Sequence, residues 1–178
     1  MIGIATVYLT ILSLDRLIMS HCDRQLELSK FLPFYISAIA GRWNAVSSKV
    51  YRSHFNLGIG DWRVLAALAA LGSATSHQIF HLTNMDIGAV SRSMRKLNER
   101  GLVERVAGRF PGHSKPCRLT PAGQDIYSEV EAVALENERL LTRSISDEDR
   151  DALLAILSRI YASLDAFEND RRNMDDPA

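Results

Sequence analysis

The sequence predicts a mainly α-helical fold in which three short helices run into a β-hairpin, with longer helices before and after it. Three observations lead there. Apolar residues recur at three- and four-residue steps through most of the chain, the period of helices that bury one face. The exception begins near residue 102, where apolar and charged residues alternate; a Gly/Pro loop and a second short run follow, the pattern of a hairpin. Charge is also segregated. Residues 85–120 hold 8 Lys/Arg against 3 Asp/Glu, residues 1–84 hold 7 against 4, and residues 121–178 hold 6 against 14. The net charge of zero therefore conceals a basic block beside an acidic helical arm, as expected of a nucleic-acid-contacting module carried on a separate scaffold.

The elements follow in order. Residues 26–55 read as one helix, with Leu32, Tyr35, Ile36, Ile39, Trp43, Val46 and Val50 on one face and Pro33 in an early turn. Asn56-Leu57-Gly58 ends it. Residues 60–71 form a second helix, with Asp61 serving its N-terminus, and Thr75 to Leu82 a third. After the turn Thr83-Asn84-Met85, a fourth helix runs from Asp86 to Arg100 and stops at Gly101. Leu102 to Val106 and Cys117 to Leu119 are the hairpin strands, joined by a loop containing Gly108, Pro111 and Gly112. Thr120-Pro121 is a cap followed by a first-turn proline and starts a helix that reaches Thr142. Ser146 caps the last helix, whose stripe includes Leu153, Leu157, Ile160, Leu164 and Phe167; the polar tail from residue 171 is read as flexible.

The chain has 178 residues, 47% hydrophobic, enough for a sizeable core. Cys22 and Cys117 are too few for a disulfide framework and have no metal-ligand spacing, which points to a reducing cytoplasm. The apolar run MIGIATVYLTILSL is shorter than the ~20 residues of a membrane span and is closed by Asp15 and Arg16. Residues 1–25 are thus an extension, read as an extra helix packing on a dimer or as a sequence preceding a true start at Met19, with membrane attachment the lesser alternative. His77 and His81 lie four apart, but no glutamate follows His77 and no third ligand is near, so they read as two solvent-side histidines and not as a metal site. No nucleophile–base arrangement, phosphate loop or paired carboxylates suggest an enzyme, and no cofactor is implied.

The fourth helix carries the chemistry. Val90, Met94 and Leu97 face inward at i, i+4 and i+7, leaving Gly88, Ala89, Ser91, Arg92, Arg95 and Lys96 opposite. A short helix, a tight turn and a second helix can hold that face in a major groove about 12 Å wide, where small residues let the backbone approach base edges. With the hairpin, this is a winged helix-turn-helix.

The string MDIGAVSRSMRKLNERGLVERV, followed by GHSKPCRLTPAG, resembles the recognition helix and wing of MarR-family transcription regulators. DWRVLAAL and SKFLPFYISAIAGRW resemble the same family's preceding helices, so that the likeness covers residues 26–168. It implies a homodimer, held by an N-terminal dimerisation helix in 26–58 and by C-terminal helices in 121–170, that binds pseudo-palindromic double-stranded DNA through the winged domain at 59–120. By that resemblance Ala89, Ser91, Arg92, Arg95 and Lys96 contact DNA from the recognition helix, and Ser76 and His77 from the helix before it. The family's Asp-x-Arg wing tip is replaced here by Pro111 and His113, so Arg109 or His113 takes the tip role, with Lys115 and Arg118 at phosphates.

The resemblance further implies repression relieved by a small aromatic or phenolic ligand, for which Trp43, His54, Trp62 and Arg63 are candidates; each also suits a core or helix-surface role. Redox or metal response on the same fold, or a winged helix that binds protein, are the alternatives.

Overall fold

A computed structural model describes residues 26–108 and 115–175. They form two compact units divided after Ile59.

In the first unit a single turn of 3-10 helix, Leu28–Lys30, precedes α1, Leu32–Phe55. The helix thus begins six residues later than the apolar periodicity alone predicts. Pro33 is the reason. It occupies the first turn of α1, whereas a helix starting at residue 26 would place its ring against the carbonyl four residues earlier and would lack its N–H. At the other end Asn56 adopts a left-handed conformation (φ 54°) and its N–H donates to the Arg52 carbonyl at 3.1 Å. Ser47, Ser48, Tyr51 and Leu57 are buried, while Leu32, Ile36, Ile39 and Val46, on the apolar face that the sequence predicts, are exposed in the protomer.

The second unit starts in the first turn of α2, Ile59–Leu71, and continues through α3, Ser76–Thr83, and α4, Ile87–Glu99. These three helices surround Val64, Leu65, Leu68, Ile79, Val90, Met94 and Leu97, all buried. Thr75 caps α3 in a reciprocal capping box with Gln78. Asn84, left-handed at φ 53°, closes α3 and makes the tight turn to α4. Gly101, at φ 68°, ends α4 in the conformation that favours glycine.

Strands β1, Val103–Arg105, and β2, Cys117–Leu119, pair antiparallel, with Val103 opposite Leu119, Glu104 opposite Arg118 and Arg105 opposite Cys117. Backbone bonds between Ala74 and Cys117, 2.9 and 2.8 Å, fasten the hairpin to the α2–α3 connection. Thr120 then caps α5, Pro121–Thr142, and α6 spans Asp147–Asp175. The final helix therefore continues past residue 171, where the sequence suggests a flexible tail. Among the described residues no helix is long and apolar enough to cross a membrane.

Candidate nucleic-acid interface

The amphipathic character of α4 organises the interface. Val90, Ser93, Met94 and Leu97 are buried, whereas Ser91, Arg92 and Arg95 are exposed and Ala89 is half-buried. Asp86 fixes the N-terminus, its carboxylate accepting from the N–H of Gly88 and of Ala89 at 3.0 Å each. The Arg92 guanidinium reaches back to within 3.7 Å of the same carboxylate, so the cap also orients an exposed arginine at the leading end of the helix.

Those two backbone donors, with Arg92 beyond them, hold the Asp86 carboxyl below its ordinary pKa. A carboxylate whose pKa falls on folding stabilises the fold above its unfolded pKa, and that contribution disappears as pH drops through the folded value. The expected result for Asp86→Asn is a lower thermal midpoint than the parent at neutral pH and a difference that narrows in acid. Parallel melting curves across that range would show that the cap does not depend on charge.

Lys96 behaves differently from its neighbours. Its Nζ lies 2.6 Å from Oδ2 of Asp61, a buried carboxylate in the first turn of α2, instead of standing free on the outer face. Asp61 thus does more than serve its own helix terminus. Arg118 is also engaged, its Nε donating to Glu104 across the hairpin at 2.8 Å. Side chains alternate between the faces of a strand, so Glu104 and Arg118 occupy one face of the hairpin and Arg105 and Cys117 the other.

That second face borders a cleft of about 470 Å³ whose lining includes Ser76, Ser91, Arg95, Arg105, Lys115 and Cys117 and, among the described residues, contains no carboxylate. Among the described residues none of these three cations makes an ion pair. The structure thus brings Ser76, Ser91, Arg95 and Lys115 together, as the sequence suggests, and adds Arg105. The signal for Arg105 was available in the alternation of Val103-Glu104-Arg105, which separates it from Glu104. Burial raises the Cys117 thiol pKa, opposed by Arg105, which does not favour the reactive thiolate.

His77 is exposed, its ring 5.9 Å from that of His81 and 6.2 Å from Phe80. Arg109 and His113, the expected wing-tip residues, lie outside the described residues, as does Cys22. Of the ligand candidates, Trp62 stacks on Tyr127 of α5 (5.6 Å between ring centres, 12° between planes). Trp62 and Arg63 line a cleft of about 330 Å³ with Ala66, Leu82 and Thr83. Trp43 and His54 belong to the other unit: Trp43 is half-buried on α1, and His54 is exposed, with Nδ1 3.0 Å from the Val50 carbonyl of its own helix.

Comparison with known proteins agrees with this architecture. The family model of the sugar-specific transcriptional regulator TrmB matches residues 51–132, from the last turn of α1 into α5. The HTH-type transcriptional regulator YwoH of Bacillus subtilis is 31% identical over 98 residues, covering 55% of this chain and 71% of that protein. A MarR/EmrR-family regulator from Acinetobacter sp. ADP1 superposes with a TM-score of 0.74 at 23% identity, over 79% of this chain and 99% of that one. A MarR mutant from E. coli, solved in complex with operator DNA, superposes with a TM-score of 0.66 at 18% identity, over 76% of this chain and 99% of that one. TrmB-type likeness is confined to the winged domain and its flanks, whereas the MarR-type likeness spans nearly the whole of those proteins, helical arms included. The chain belongs to the HTH-type transcriptional regulators, and its fold is the winged helix-turn-helix fold of the MarR family.

Proposed function

We propose that the chain acts in the cytoplasm as a homodimeric repressor that binds pseudo-palindromic double-stranded DNA and is released from it by a small aromatic or phenolic ligand. The observation that carries the DNA reading is the exposed face of α4 continuing into the Arg95/Arg105/Lys115 cleft. Ala89 and Ser91 suit close approach to base edges, and Arg92 suits a base or a phosphate. The cleft, open to Ser76 and lined by cations without a carboxylate, suits backbone phosphates. The operator complex of the E. coli relative supports the same docking.

Dimerisation is supported by apolar residues that a single protomer leaves in water, including Leu32 and Ile39 on α1 and Leu153, Leu157, Leu164 and Phe167 on α6. Two recognition helices related by a twofold axis would then read half-sites about one helical turn apart. For the ligand, Trp62 offers an aromatic face and Arg63 a cation to a carboxylate.

The test is a salt titration of binding to DNA from upstream of the chain's own gene. Sequence-selective binding that weakens steeply with salt is expected, and its absence would defeat the DNA reading. Arg105→Ala should flatten the slope of log affinity against log salt by about one ion, whereas Arg118→Ala, already paired with Glu104, should change it less. The reverse ranking would remove Arg105 from the interface. Benzoate, added to the complex, should release DNA in the parent and not in Arg63→Ala.

A further inference from the structure

The first turn of α2 approaches the recognition helix unusually closely. A Cβ on Gly60 would lie 3.2 Å from both Met85 Cε, before α4, and Ser93 Oγ, within it. One residue on, Asp61 is 5% exposed and holds Lys96 Nζ at 2.6 Å. The two residues are 35 positions apart in sequence, so the bond fixes one helix against another and not a local turn. A carboxylate with so little access to water is costly to leave without its cation. Lys96 lies on the turn after Arg92 and beside Arg95, so its tether restrains the rotation of α4 that aims both arginines outward.

We propose that Asp61 is a positioning residue for the recognition helix, and that Lys96 is committed to this clamp inside the protein instead of to a DNA phosphate. The proposal rests on the DNA-binding reading above. It divides the cations of α4 by role: Arg92 and Arg95 face the nucleic acid, and Lys96 sets the angle at which they are presented. The clamp acts on affinity through geometry, so it should contribute almost equally at all salt concentrations. A phosphate contact, in contrast, releases a counterion and adds to the salt slope.

Lys96→Met keeps the aliphatic stem and removes the charge; Arg95→Met is the control from the same helix. Lys96→Met should weaken binding to the operator fragment about tenfold across the salt range and leave the slope unchanged. Arg95→Met should flatten the slope by about one ion. Asp61→Asn combined with Lys96→Met should bind no more weakly than the weaker single variant, as expected of residues acting as one unit. Amide hydrogen exchange on the free full-length protein gives a readout that needs no DNA, and Lys96→Met should accelerate exchange along α4. Should Asp61→Asn fail to fold, Lys96→Met carries the test, because its side chain is 44% exposed. A slope flattened by about one ion in Lys96→Met, or unaltered exchange along α4, would overturn the clamp. If the parent shows no sequence-selective binding, the regulator reading fails and the exchange experiment alone decides the clamp.

Discussion

Glutamate at both Leu157 and Leu164 is expected to convert the proposed dimer to a monomer and to abolish the proposed operator binding. Both side chains are exposed in the protomer, at 39% and 46%, and they lie in a seam with Leu153, Ile160 and Phe167 whose steps alternate four and three. That spacing is the repeat by which helices pack side by side. Leu154, Ile156 and Tyr161 widen the strip. Burying one leucine contributes roughly 1.5–3 kcal/mol. Twofold symmetry counts each substitution twice, so the pair removes roughly 6–12 kcal/mol of association before the added charges are considered. A dimer with nanomolar affinity is held by only about 12 kcal/mol. Sedimentation velocity at micromolar concentration should therefore show a folded monomer, its fold verified by circular dichroism, since neither position belongs to the protomer's own core. A variant that still sedimented as a dimer would place the interface elsewhere.

Much of this fold was legible because its signals are local. Asp86 before α4, Gly101 after it, and Thr120-Pro121 before α5 each specify an element boundary through their own backbone chemistry, and the structure has those boundaries within about one residue of the expected ones. The inward set Val90, Met94 and Leu97 was equally plain, because a period of 3.6 leaves little choice. The start of α1 was less so: apolar spacing continues before Pro33, and only the steric demand of the proline ring stops the helix there. Tertiary pairings were not legible at all. Nothing near Lys96 in sequence announces that Asp61 will meet it, and the charge of Arg118 is engaged only once the hairpin register sets it opposite Glu104. The candidate site was therefore readable as a set of residue types on a helix face. Which cations remain available to a ligand depended on contacts between distant segments.

The same dependence on distant contacts makes Gly123→Ala a strongly damaging substitution where α5 meets the winged domain. A Cβ at position 123 would lie 1.9 Å from the carbonyl oxygen of Leu102 and 2.9 Å from its carbonyl carbon. These are backbone atoms, which cannot swing aside as a side chain can. The Leu102 oxygen is held by the Thr120 N–H at 3.1 Å, and the Thr120 hydroxyl donates to the Gly101 oxygen at 2.7 Å while accepting from the Gly123 N–H at 3.0 Å. Relief of the clash must therefore disturb the α5 cap or the turn that ends α4, where the Leu102 N–H donates to the Leu97 oxygen at 2.9 Å. Overpacking of this kind costs about 1–3 kcal/mol and more when backbone has to move, so a loss of at least ~3 kcal/mol is expected by chemical denaturation. Gly101→Ala is the internal comparison: at φ 68° with nothing within 4 Å of its added Cβ, it should cost only the conformational ~1–2 kcal/mol. Because the disturbed turn anchors the C-terminal end of the recognition helix, Gly123→Ala should also weaken operator binding at temperatures where the variant remains folded, although residue 123 is buried and presents no side chain to DNA. Equal stability losses for the two variants would mean that the close approach of α5 to Leu102 is not a feature of the protein in solution.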